Sequence, residues 1–181
     1  MKKVLLSVLL IFADLAVIAG DETIPNHLET LAERGDLNAQ VKLAIAYRQG
    51  IGVQQDYKTA IKWFTLAADQ DSALAQYNLG VMHSFGLGIV PDYERAIKWY
   101  TLAAEQGNAL AQYNLGRLYF LGKGVSENRI YAHMWATLAS SNGSIMGEEL
   151  TELLTELMPH TQIEKANRLR KGCKYKNYKD C

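Results

Sequence analysis

Two cysteines, four histidines and a thrice-repeated G-x-G are the side chains of this 181-residue chain whose types and spacing could do chemistry. Cys173 and Cys181 both lie in the C-terminal tail. C-x7-C supplies two ligands where a structural zinc takes four, and no histidine lies between or after them. An even cysteine count in a chain with export features favours a disulfide between them. The nine-residue loop it closes would contribute about 2.5 kcal/mol in the chain-entropy model, mostly to the tail itself. His27, His83, His133 and His160 are scattered and form no H-E-x-x-H or other ligand spacing, so neither a metal nor a cofactor is expected. His83 and His133 fall on helical stretches, where packing is the simpler role. No serine is followed at the third position by lysine, so the nucleophile arrangement of serine β-lactam enzymes is missing. The glycine pairs Gly50/Gly52, Gly86/Gly88 and Gly122/Gly124 follow helices instead of strands and lack a third glycine. They read as left-handed helix caps, not as a phosphate cradle. The chain is expected to have no catalytic residues.

What these glycines mark is a repeat. Ala39-Gln40 recurs as Ala75-Gln76 and Ala111-Gln112, and Trp63 recurs as Trp99 and Trp135, always 36 residues on. Residues 60–80 match residues 96–116 at 17 of 21 positions without a gap. A period in this range means a solenoid, in which each unit buries its apolar face only by stacking on its neighbours. Three units follow, at 39–74, 75–110 and 111–146. Residues 20–38 form half a unit before them, because Ala32-Glu33-Arg34-Gly35 stands where Ala104-Glu105-Gln106-Gly107 stands 72 residues later.

Each unit reads as two helices. In the first, Ala75, Leu79, Met82 and His83 share one side of a 3.6-residue helix; in the second, Ala96, Trp99, Ala103 and Ala104 do, with Asp92 just ahead as N-cap. One tryptophan per repeat is expected to anchor the stack, and the small residues Gly80, Ala96 and Ala103 to let backbones approach. After Gly143 the repeat decays into the stripe Leu150, Leu153, Leu154 and Leu157, a capping helix over 148–157 that Pro159 ends, and then a final helix over 161–171. Residues 147–181 are thus a helical cap and tail.

The pattern A-x-x-x-L-G-x-x-Y-x-x-G-x-G-V followed by D-Y-x-x-A-x-x-W-Y-x-x-A-A-x-x-G resembles the Sel-one-like repeat, a relative of the tetratricopeptide repeat. The resemblance spans residues 39–143. Departures are single: Ala44 stands for the first-helix glycine, His83 for the tyrosine of Tyr47 and Tyr119, Asp71 for the glycine of Gly107 and Gly143, and Asn128 for the cap aspartate. The resemblance implies an all-α right-handed α/α superhelix that acts as a scaffold or adaptor, and it implies no particular ligand.

Lys2 and Lys3 ahead of an apolar run from Val4 to Ala13, with small residues near Ala19, make residues 1–19 resemble a secretory signal peptide. Asp14 interrupts the run well short of the roughly 20 residues that span a bilayer. The expected location is periplasmic or secreted, without a membrane span after processing. Loss of Lys2, Lys3 and Asp14 leaves 17 basic and 18 acidic side chains, a near-neutral balance that argues against nucleic acid. Seven basic residues among the last 18 face Glu148, Glu149, Glu152 and Glu156, and read as solvated or loosely paired faces.

Tyr77 and Tyr113 lie off the leucine stripe of the first helix. By similarity with tetratricopeptide repeats the concave face carries Val41, Ile45 and Arg48, then Tyr77, Val81 and Ser84, then Tyr113, Arg117 and Phe120. Tyr, Phe and Arg are the residue types of interface hot spots, which makes Arg48, Tyr77, Tyr113, Arg117 and Phe120 the expected protein-binding residues. The reading is an exported, non-catalytic adaptor for a protein or peptide segment. The alternatives are a hydrolase of β-lactams or cell-wall material, and a regulator of a cell-wall enzyme using the same groove.

Overall fold

A computed structural model describes residues 26–175 and Tyr178; residues 1–19 and Cys181 lie outside the described residues. Within them are nine helices and no strand: α1 (Asn26–Glu33), α2 (Leu37–Gln49), α3 (Tyr57–Ala68), α4 (Ala73–Phe85), α5 (Tyr93–Glu105), α6 (Ala109–Leu121), α7 (Arg129–Ser141), α8 (Ile145–Leu157) and α9 (His160–Tyr175). The fold is an all-α solenoid.

Helix ends repeat with the sequence period. Asp36, Ser72, Asn108 and Ser144 each accept a hydrogen bond from the backbone N–H three residues on and open α2, α4, α6 and α8. Asp56, Asp92 and Asn128 do the same for α3, α5 and α7, so asparagine replaces the cap aspartate without loss of the bond. Gly50, Gly86 and Gly122 close α2, α4 and α6 in the left-handed conformation. At the other turn, Gly35, Gly107 and Gly143 have φ of 81–91°, and Asp71, their counterpart, is held at φ 61°. A Cβ is disfavoured there, which aspartate tolerates better than most residues.

From α1 to α8 each helix packs on the next in the chain. In addition α4 touches α6 and α6 touches α8, while α3, α5 and α7 make no comparable contact with one another. The stack therefore curves with α2, α4, α6 and α8 on its inner side. α9 folds back onto α7, and the chain turns there because Met158 is extended ahead of Pro159.

The buried anchor of each outer helix is the residue after the tryptophan. Phe64 and Tyr100 are fully buried, whereas Trp63 and Trp99 are only half-buried, against the expectation that the tryptophans anchor the stack. Phe64 packs with Ala44 of α2 and with Ala75, Leu79 and Met82 of α4, and Tyr100 lies against Gly80 of α4 and in one cluster with Leu115 and Leu118 of α6; Trp63 and Trp99 are only partly buried against the first of these clusters. Trp135 is 3% exposed because α9 supplies Leu169 and Cys173 over it.

The glutamines that mark the repeat form an internal ladder. Gln40, Gln76 and Gln112 are buried, and each Nε2 donates to the carbonyl of Ala32, Ala68 or Ala104 in the preceding unit. Each Oε1 accepts from the residue 30 positions on, Gln70, Gln106 or Asn142, at 2.8–2.9 Å. The Tyr178 hydroxyl donates to Asn142 Oδ1 at 3.3 Å and ends the ladder. Burial of an amide without partners costs free energy, so the rungs tie repeat to repeat in one register.

Candidate protein-interaction surface

The inner helices bring the expected residues onto one curved face. Val41, Ile45, Tyr77, Val81, Tyr113, Arg117 and Phe120 are all half-buried there, Arg48 joins them from the last turn of α2, and Ser84 is buried. None of the aromatics is idle. Tyr77 packs on Tyr100 with ring centroids 6.1 Å apart, and burial raises its pKa while Arg48 opposes the shift. Tyr113 and Phe120 pack on the cluster of Ala132, Ala136, Leu150 and Leu154. Each has one edge in the core and one toward the groove.

Two asparagines missed by sequence reasoning organise the polar part of this face. Asn78 and Asn114 occupy the same repeat position and are 2% and 8% exposed. Their Nδ2 groups donate to the carbonyls of Leu74 and Leu110, one helical turn back, at 2.7 and 2.8 Å. That assignment aims Oδ1 outward. Arg48 Nη1 donates to Asn78 Oδ1 at 2.6 Å, bridging the first and second repeats, and Arg117 Nη2 donates to Asn114 Oδ1 at 3.3 Å. The Arg117 guanidinium also lies 5.8 Å from the ring centroid of Phe85, which is 59% exposed. The repeated Asn was visible in the sequence beside each Tyr; Phe85 gave no signal, since Gln49 and Leu121 fill its position elsewhere.

Beside this polar strip the hydroxyls of Ser84 and Tyr100 are buried near each other, with no other hydrogen-bond partner among the described residues. Burial, partly offset by the nearby Ser84 hydroxyl, pushes the Tyr100 pKa up to about 12.

Elsewhere the structure offers little chemistry. A cleft of 540 Å³ beside the α4–α5 loop is lined by His83, Val90, Pro91, Asp92 and Arg95 among others, but by no serine, threonine or cysteine. His83 is half-buried and its pKa is lowered, first by burial and then by Arg95. His133 is buried between Thr137 and Thr155, with its pKa lowered by burial and by Arg170. No cluster of three or more metal-ligating side chains occurs among the described residues. No helix among them is long and apolar enough to cross a membrane. Cys173 is buried against α7, and its expected partner Cys181 lies outside the described residues.

Comparison with known proteins agrees with this architecture. The Sel1 repeat family matches residues 37–72, 73–108 and 109–144, the same 36-residue period set two residues ahead of the divisions drawn from sequence. A Sel1 repeat protein from Oxalobacter formigenes is similar in structure, with a TM-score of 0.63 and 35% identity over 70% of this chain and 95% of that one. A protective antigen present in uropathogenic Escherichia coli strains, which displays an SLR fold, aligns with a TM-score of 0.59 and 26% identity. That alignment covers 83% of this chain but only 40% of the antigen. No curated protein sequence matches significantly. Arrays of this kind are generally scaffolds for protein interaction and typically non-catalytic. With three matched repeats over most of its length, on a solenoid whose helix ends, ladder and inner face follow the same period, the chain belongs to the Sel1 repeat family.

Proposed function

We propose that the chain is an exported, non-catalytic adaptor that holds an extended protein segment along its inner face, with Arg48, Tyr77, Tyr113, Arg117 and Phe120 as the contact residues. The observation that supports this reading most is the continuous strip on α2, α4 and α6. It mixes aromatic edges with two arginines held on buried asparagines, a rigid surface of the types that form hot spots. Pre-set side chains lose less entropy on binding than free ones, which favours affinity.

Export rests on the leader at residues 1–19, and the Cys173–Cys181 bond belongs with it, as a clasp holding the end of the tail near α7. Intact mass of protein recovered from the exported fraction tests both: the expected species lacks the first 19 residues and has no titratable thiol after denaturation. Full-length protein confined to the cytosol would contradict export, and two free thiols would contradict the bond. For binding, immobilised wild-type protein and a Tyr113→Ala variant are compared in capture from the same fraction. A specific partner retained by the wild type and depleted on the variant is expected; equal recovery on both surfaces would contradict the inner-face assignment.

A further inference from the structure

The strip's charge identifies the chemistry of its occupant. The inner helices α2, α4 and α6 contain no Asp or Glu, and the first carboxylates on an inner helix are those of α8, beginning at Glu148. Among the described residues, neither Arg48 nor Arg117 has a carboxylate within ion-pairing distance; both rest on neutral amides. An asparagine oxygen accepts one or two of the five guanidinium donors and leaves the positive charge uncompensated. In a chain with equal numbers of acidic and basic residues, two such arginines on one half-buried surface stand out from the surface average.

The two arginines converge on α4 from opposite sides. Arg48 reaches forward from α2 to Asn78, and Arg117 reaches back from α6 to Phe85. Asn78 and Phe85 are seven residues apart, about 10 Å along a helix axis. Tyr77 lies beside the first anchor and Ser84 beside the second, with the Tyr100 phenol packed behind them. The hydroxyls of Ser84 and Tyr100, buried beside each other, add polar groups behind the same segment of groove.

We propose that this part of the groove binds an acidic extended segment, with two side-chain carboxylates held by Arg48 and Arg117. An extended segment in the polyproline II conformation rises about 3.1 Å per residue with three residues per turn, so carboxylates at i and i+3 share a face about 9 Å apart, close to the separation of the anchors. The inference rests on the inner-face reading above and adds the chemistry of the segment. Charge-assisted bonds formed in a groove walled by Tyr77 and Phe85 are stronger than the same bonds in open solvent. The glutamates of α8 repel such a segment at the far end, so its acidic part lies over the three repeats.

The test is selection of displayed random dodecapeptides on the purified protein, followed by titration of the enriched peptides as synthetic C-terminal amides. The proposal expects enriched peptides to carry paired Asp or Glu about three residues apart. Replacement of these by Asn or Gln should weaken binding about tenfold or more. Arg48→Gln and Arg117→Gln should weaken it comparably, while Arg48→Lys and Arg117→Lys retain part of the affinity, and higher salt should reduce binding to the wild type. Enriched peptides without acids, sensitive to Tyr113→Ala but not to the arginine changes, would overturn the acidic-segment proposal and leave the inner-face reading standing. Peptides that bind only with a free C-terminal carboxylate would overturn the side-chain assignment. Enrichment insensitive to every inner-face change, or no enrichment at all, would overturn both.

Discussion

The phenol ring of Tyr100 on α5 lies flat enough against Gly80 on α4 that a Cβ at residue 80 would meet the ring at 2.5 Å. The glycine is there for the ring, since a helix interior otherwise prefers alanine by about 1 kcal/mol. Gly80→Ala should therefore destabilise the protein by roughly 1–3 kcal/mol through overpacking. In a Tyr100→Ala background the same change should become neutral or stabilising. Thermal melts of the four proteins in this cycle measure the coupling, and additive effects would contradict the packing.

Asp71 is the only one of four equivalent turn residues that is not glycine, and it sits at φ 61°. Asp71→Gly should raise stability by about 0.5–1 kcal/mol, because relief of the left-handed Cβ penalty exceeds the entropy that glycine adds to the unfolded chain. Chemical denaturation checks this through the midpoint. An unchanged or lower midpoint would show that the Asp71 side chain makes a compensating interaction.

Gln76 is the middle rung of the ladder and is 1% exposed, donating to Ala68 O and accepting from Gln106. Gln76→Met keeps the bulk and strands both partners, so a loss of about 2–3 kcal/mol is expected. The matching change at Gln106, on the exposed side, should cost less. Melts of the two variants give the comparison; equal, small losses would mean the ladder contributes little.

The pH dependence of stability should carry the mark of His133. Burial and Arg170 lower its pKa in the folded state, so the unfolded chain takes up a proton first as pH falls. Stability from this group is complete above its unfolded pKa near 6.5 and is lost as pH drops toward the lower folded value, at no more than about 1.4 kcal/mol per pH unit. His83, also lowered, acts in the same direction. Between pH 7 and 5 the wild type should lose stability more steeply than His133→Gln, measured by denaturant midpoints at each pH. Parallel profiles would contradict the assignment.

Much of this architecture was legible from Ala39, Trp63 and Gly50 alone, because their recurrence at 36 residues fixes unit length and helix order. Local chemistry supplied the caps at Asp92 and Gly86. What sequence could not decide was which neighbour covers a given face. Trp99 and Trp135 occupy the same repeat position, yet only Trp135 is buried, because α9 packs on α7 and, among the described residues, no helix covers α5 in that way. The same holds for the inner face. Tyr113 and Phe120 looked free of structural duty, but each uses one edge against α7 or α8, a tertiary contact that periodicity does not encode. Asn78 was legible as a repeated letter and not as a rest for Arg48, since their hydrogen bond joins residues 30 positions apart in different units.

The central claim is that the inner face binds a protein segment and that binding and folding use separable parts of it. Titration of the captured partner against wild type, Tyr113→Ala and Arg117→Ala, with a melt of each variant, tests this most directly. Among the described residues Arg117 makes a 3.3 Å bond to Asn114, the Phe85 contact and a weak interaction with Tyr100, so its removal should weaken binding by about 1–3 kcal/mol with little change in melting temperature. Tyr113→Ala should weaken binding as much, and should lower stability by less than it lowers affinity. Affinity that survives both changes, or that falls only in step with the melting temperature, would contradict the claim and move the search for the partner site to the basic face of α9.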